Sequence, residues 1–197
     1  MNKLKKILFN FINYTIRITD NKKTLRLLAV FTFLESIIIP IPPDIFLIPI
    51  TLNKRYSWIF LGIYTTFFSI LGGILGYLIG MFFWDIIGEN IVEFYNGYNY
   101  IDYIKKLFTK YGWAVILVAG FSPIPYKIFT IGSGLLGYNF IIFILCSIIS
   151  RSLRFLTLTY LVYKYGNKGL NFIEKYFVQF TLISSIIFIL IVLFFIY

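Results

Sequence analysis

Five apolar blocks, at about 27–52, 56–84, 113–137, 138–163 and 179–197, fill most of this 197-residue chain and leave it few folds to choose from. Each reaches the roughly 20 residues that a helix needs to cross a bilayer. Lipid offers no partner to backbone N–H and C=O groups, so such segments must close their hydrogen bonds internally, as helices do. Hydrophobic residues make up 59% of the chain and charged residues 13%, far from the balance of a soluble domain. The chain therefore reads as an all-α polytopic membrane protein.

The first block does not read as a simple span. Its stretch FLESIIIPIPPDIFLIPI carries Pro40, Pro42 and Pro43 together with Glu35 and Asp44. Prolines remove backbone donors and stop a helix, and a stop at membrane depth survives only where protein or a water-filled cavity takes up the freed groups. Lys22, Lys23 and Arg26 precede the block and Lys54 and Arg55 follow it. Basic flanks favour the cytoplasmic side, so the block is expected to enter and leave on one face, as a re-entrant hairpin. Ahead of it, Leu4, Ile7, Leu8 and Phe11 lie at helical spacing opposite Lys3, Lys5, Lys6 and Asn10, the pattern of an uncleaved interfacial helix. The second block then crosses outward. Residues 85–112 are left outside, with a second interfacial helix expected on Ile101, Ile104, Phe108 and Tyr111.

Residues 40–49, PIPPDIFLIP, and residues 123–132, PIPYKIFTIG, are identical at six of ten positions with an offset of 123 − 40 = 83. Pro123 and Pro125 thus repeat the break of Pro40 and Pro42. If the third block re-enters from outside and the fourth crosses inward, Lys164, Lys168 and Lys175 fall in the cytoplasm, and the basic residues divide twelve inside, three outside and three within apolar blocks. The expected architecture is an inverted repeat with two opposed re-entrant helical hairpins, about three spanning helices, and interfacial helices, a design in which broken helices meet near the midplane. The expected divisions are a cytoplasmic segment 1–26, a membrane domain 27–165 (repeat one 27–84, repeat two 113–163), and a linker and transmembrane helix over 166–197.

Charge inside a membrane costs roughly 2.5 to 3.5 kcal/mol even on insertion scales and marks a partner or a task. Asp44 and Lys127 occupy equivalent repeat positions with opposite charge, which predicts an ion pair between the hairpins, whether structural or functional. Glu35 lies on the other limb of the first hairpin and is expected to carry a proton, or else to cap the broken backbone. Ser147, Ser150, Arg151, Arg154 and Thr157 form one polar stripe that must face inward. Arg151 and Arg154 then either grip a phosphate with their planar donor forks or pair with Glu35 and Asp44. Gly72, Gly73, Gly76 and Gly80, with Ser69, share one face of the second block and are read as helix packing.

A glutamate before a Pro-rich break and a carboxylate, a Gly-rich helix, and AGFSPIPYKIFTIGSGLLGY followed by an Arg-bearing helix together resemble the DedA superfamily, the SNARE-associated or VTT-domain membrane proteins. The PIPYK form is most similar to the YqaA-type branch. The resemblance covers about residues 30–165. It implies a multi-pass protein of the bacterial inner membrane, N-terminus cytoplasmic, tied to translocation of lipid or lipid carrier and to envelope homeostasis, with Glu35 and Asp44 as the family's acidic pair. The second motif departs from the family, with Gly120 before Phe121 and Lys127 after the prolines where arginines are usual; Arg151 and Arg154 are the candidates to replace them.

The functional expectation is a proton-coupled transporter or scramblase for phospholipid or isoprenoid phosphate, acting on membrane lipids through their phosphate headgroups, and forming homo-oligomers or working alone. A proton- or cation-coupled exchanger of small solutes and a non-transporting assembly factor are the alternatives. The chain contains no His and a single Cys146, which removes the commonest general base and metal ligand. No enzyme activity, metal or cofactor is therefore expected. Net charge +10 sits mostly at membrane borders and does not point to nucleic acid.

Overall fold

A proline run stops one helix and starts the next, and the chain does this twice. The computed structural model describes residues 22–37, 42–88, 98–121 and 125–166. Pro40, Pro123, the amino-terminal segment and the last apolar block lie outside the described residues. Those described form α1 (Lys22–Glu35), α2 (Asp44–Leu52), α3 (Trp58–Phe83, continued by a wider turn over Trp84–Gly88), α4 (Tyr98–Phe121), α5 (Tyr126–Leu135) and α6 (Phe140–Gly166). No strand occurs among them.

The two breaks share local physics. Pro43 (φ −64°) precedes α2 and Pro125 (φ −57°) precedes α5, each with the angle that a helix start accepts. Their carbonyls accept the first helical N–H groups: Leu47 N to Pro43 O at 2.9 Å, and Ile128 N to Pro125 O at 3.2 Å. The longer helices begin with side-chain caps. Ser57 Oγ accepts from Phe60 N ahead of α3, and Asn139 Oδ1 accepts from Ile141 N and Ile142 N ahead of α6.

The offset of 83 runs through the helix bounds as well as the motif. Adding 83 to α2 (44–52) gives 127–135 against an observed 126–135, and adding it to α3 (58–83) gives 141–166 against an observed 140–166. α3 and α6 pack antiparallel: Trp58 meets Tyr160, Gly62 meets Leu156, and Thr66 and Ser69 meet Arg151. α1 lies parallel to the first half of α3, from Leu25 at Tyr64 to Ser36 at Ser69. In the other half α4 lies parallel to α6, from Gly112 at Tyr138 to Gly120 at Ser150. α2 folds back on α1, with Phe31 stacked on Phe46 at 4.4 Å and Leu28, Leu47 and Ile50 in one buried cluster with Leu61 and Phe155.

One expected boundary moves. The interfacial helix expected near 101–111 and the start of the third block are a single helix, α4, because Tyr98–Phe121 contains no proline to interrupt it.

Polarity is arranged as lipid requires. On α3, Ile59, Ile63, Phe67, Leu71, Leu75 and Ile79 are exposed at every fourth position, while Thr65, Thr66, Ser69 and the glycines are buried. Buried hydroxyls return their proton to the carbonyl one turn earlier, as Thr32 does to Leu28 and Thr159 to Phe155, which satisfies them without another helix. α3 and α6 are both long and apolar enough to cross a membrane.

Candidate functional site

Helix ends and small residues assemble the polar centre. Glu35 is the last residue of α1 and Asp44 the first of α2, so one carboxylate stands on each side of the break. α6 brings the guanidiniums, Arg151 and Arg154, three residues apart on one face. Arg151 Nη2 donates to Glu35 Oε2 at 2.9 Å, and Arg154 Nη2 donates to Asp44 Oδ2 at 3.0 Å.

The two pairs differ in setting. The Arg151 side chain is 2% exposed and is gripped on every side. Its Nε donates to Ser69 Oγ at 2.7 Å, Ser69 Oγ lies 3.0 Å from Ser36 Oγ, and the guanidinium carbon sits 4.4 Å from the Tyr126 ring centre and 4.9 Å from that of Phe155. One side chain thereby ties α1, α3, α5 and α6 together. Arg154 and Asp44 are 15% and 17% exposed, and Asp44 Oδ1 has no hydrogen-bond partner among the described residues. The hydroxyls of Tyr126 and Ser147, also buried, face each other there.

Glycine lets the helices reach the centre. A Cβ on Gly72 would strike Phe33 O of α1, and one on Gly80 would strike Ile131 O of α5. Gly73 and Gly76 face Tyr126 and Thr130 in the same way, and Gly134 of α5 faces the Tyr77 backbone. The face read as packing on α3 thus receives both short broken elements, α1 on its first half and α5 on its second.

The predicted site residues divide as follows. Glu35, Asp44, Arg151 and Arg154 come together. Arg154 makes an ion pair with Asp44, the pairing named above as the alternative to a phosphate grip; the repeat also points from Asp44 to Lys127. Lys127 is the second residue of α5, and its carbonyl accepts from Thr130 Oγ1 at 3.0 Å. Pro42 and Pro43 flank the start of α2 and Pro125 that of α5. Tyr126, Ser36 and Gly134 were missed. Tyr126 occupies the repeat position of Pro43 and carries no charge to mark it; Gly134 shows its role only once Tyr77 is placed against it. Among the described residues no group of His, Cys, Asp or Glu is set to hold a metal ion.

Residues 25–164 match the VTT domain. The chain belongs to the VTT-domain family. A Haemophilus influenzae protein described as uncharacterized is 39% identical over 141 residues, 72% of this chain and 73% of that one, and a Histophilus somni protein, also uncharacterized, is 37% identical over 142 residues, again 72% and 73%. No solved structure matches. The VTT match begins within α1 and ends at Lys164, near the end of α6, so both ion pairs lie inside the VTT domain, in a family of membrane proteins linked to transport or lipid handling.

Proposed function

We propose that this VTT protein is a proton-coupled transporter or scramblase of phospholipid or isoprenoid phosphate in the bacterial inner membrane, of the YqaA-type branch, with its N-terminus cytoplasmic. The observation that carries the reading is the placement of two arginine–carboxylate pairs where the break between α1 and α2 meets α6, one of the two membrane-length helices. A guanidinium fork matches phosphate as well as carboxylate. Protonating Glu35 or Asp44 frees the fork for a headgroup phosphate, and release of the phosphate returns the arginine to its carboxylate. Acyl chains stay in lipid throughout. Glu35 and Asp44 supply the proton sites, Arg151 and Arg154 the phosphate contacts, and Lys127 a further cation at the equivalent point of the second break.

The antiparallel packing of α3 and α6, which the offset of 83 makes equivalent, supports an inverted-topology repeat in which α1–α2 and α4–α5 enter from opposite faces. Purified protein in liposomes, assayed for movement of labelled phospholipid and of isoprenoid phosphate with and without a pH gradient, tests the function. Movement of either lipid that depends on the gradient and fails in Glu35→Gln or Asp44→Asn is expected. Gradient-driven movement of small ions or solutes without lipid movement would overturn it in favour of a solute exchanger.

A further inference from the structure

Away from the buried centre, and whether or not lipid is moved there, we propose that the end of the molecule where α3 begins and α6 finishes is a binding site for the headgroup of an anionic phospholipid. Lys54, in the turn before α3, holds its ammonium 5.3 Å from the Tyr163 ring centre, and Lys164 holds its own 5.3 Å from Tyr160 and 5.4 Å from Tyr165. Lys164 Nζ also donates to Tyr160 Oη at 2.9 Å, and the Tyr160 ring meets Trp58 edge-on at 5.1 Å. Two exposed ammonium groups thus each rest beside tyrosines of the last turns of α6, at the end of the molecule where Trp58 begins α3. An anion brought to this end is attracted by both.

No carboxylate of the described residues supplies that anion. Glu35 and Asp44 are taken by the arginines, Asp85 lies past the opposite end of α3, and Asp102 is on α4. The opposite end makes the contrast. There Lys105 sits 4.2 Å over Trp84, and Asp102 lies one turn before it on the same helix. The occupant is lipid because both helices that meet at this end are long and apolar enough to cross a bilayer, which puts their ends at headgroup level, where tyrosine and tryptophan settle and lysine ammonium groups meet anionic lipid.

The test uses the full chain in phosphatidylcholine nanodiscs with Trp84→Phe and Trp113→Phe, leaving Trp58 as the single tryptophan of the three. Short-chain phosphatidylglycerol should change Trp58 fluorescence saturably, and phosphatidylcholine of the same chain length should not. Lys54→Gln with Lys164→Gln should raise the half-saturation about 25-fold, about fivefold for each ammonium. Lys54→Arg with Lys164→Arg should stay within about twofold. The single Gln variants, each expected to shift about fivefold, decide the matter should the double variant fail to fold. Equal response to both lipids, unchanged affinity in the Gln variants, or a response to inorganic phosphate equal to that for phosphatidylglycerol would each overturn the proposal.

Discussion

The break between α1 and α2 and the break between α4 and α5 are built alike and used differently. Both follow a Pro-Ile-Pro run, both open a short helix on a proline carbonyl, and both send that helix or its partner onto the glycine face of α3. The first break places Glu35 and Asp44 in the centre; the second places Tyr126, with Lys127 beside it. The arginines that answer the carboxylates come from α6, in the other repeat. The two breaks thus share a backbone device, which depends on proline and glycine, and differ in chemistry, because a side chain at a helix start is free to differ once the break itself is secured.

The largest expected effect separates the two ion pairs. Arg151→Met should destabilise the protein by about 3–5 kcal/mol, since it removes the fully buried guanidinium that holds Glu35 and Ser69 and sits against the Tyr126 and Phe155 rings, and unfolding of the purified protein in detergent would show it. Glu35→Gln in the same chain should recover part of the loss. If Arg151→Met melts as wild type, the difference drawn between the pairs is wrong.

Next comes the glycine face. Gly80→Ala and Gly134→Ala should each cost about 1–3 kcal/mol or more, because the added carbon meets backbone that cannot turn aside. Gly72→Ala, against Phe33 on the first hairpin, should cost a similar amount. A marked inequality would show that one break bears on α3 more tightly than the other.

Asp44→Asn and Arg154→Gln should each cost less than Arg151→Met, about 1–3 kcal/mol, since both side chains keep some solvent access. Lys127→Gln sharpens the comparison. A loss in the melt as large as that of Arg154→Gln would mean that the equivalent charge of the second break is the working partner of Asp44. The smallest effect is expected at Gly132, also on α5, where nothing lies within 4 Å of an added Cβ. Gly132→Ala should be neutral or stabilise by up to about 1 kcal/mol, which checks that the losses at Gly80 and Gly134 come from contact rather than from helix propensity.

Much of the fold was legible because the forces involved are local or periodic. Apolar block length marks α3 and α6 as spans, the Pro-Ile-Pro runs mark the two breaks, and the spacing of Gly72, Gly73, Gly76 and Gly80 marks a packing face. Of the expected polar stripe, Ser147, Ser150 and Arg151 are buried and Arg154 is half-buried, as its period demands, whereas Thr157, the last member, is exposed. The continuity of α4 was hidden because Lys105, Lys106 and Lys110 look like the end of a membrane segment, although charge on an amphipathic helix does not stop it.

By itself, the amino-acid sequence determined that this is a helical membrane protein with two proline runs 83 residues apart and five charges within its apolar blocks to satisfy, since proline lacks an N–H and lipid tolerates no unpaired ion. The sequence left two partners open for Asp44, Lys127 by repeat position and an arginine of the polar stripe, and the contact with Arg154 appears only in three dimensions. Repeat symmetry relates backbone positions and so points from Asp44 to Lys127, whereas an ion pair depends on the reach of the side chains. The antiparallel packing of α6 on α3 brings Arg151 to the level of Ser69 and Glu35, and one turn further along, the arm of Arg154 reaches Asp44.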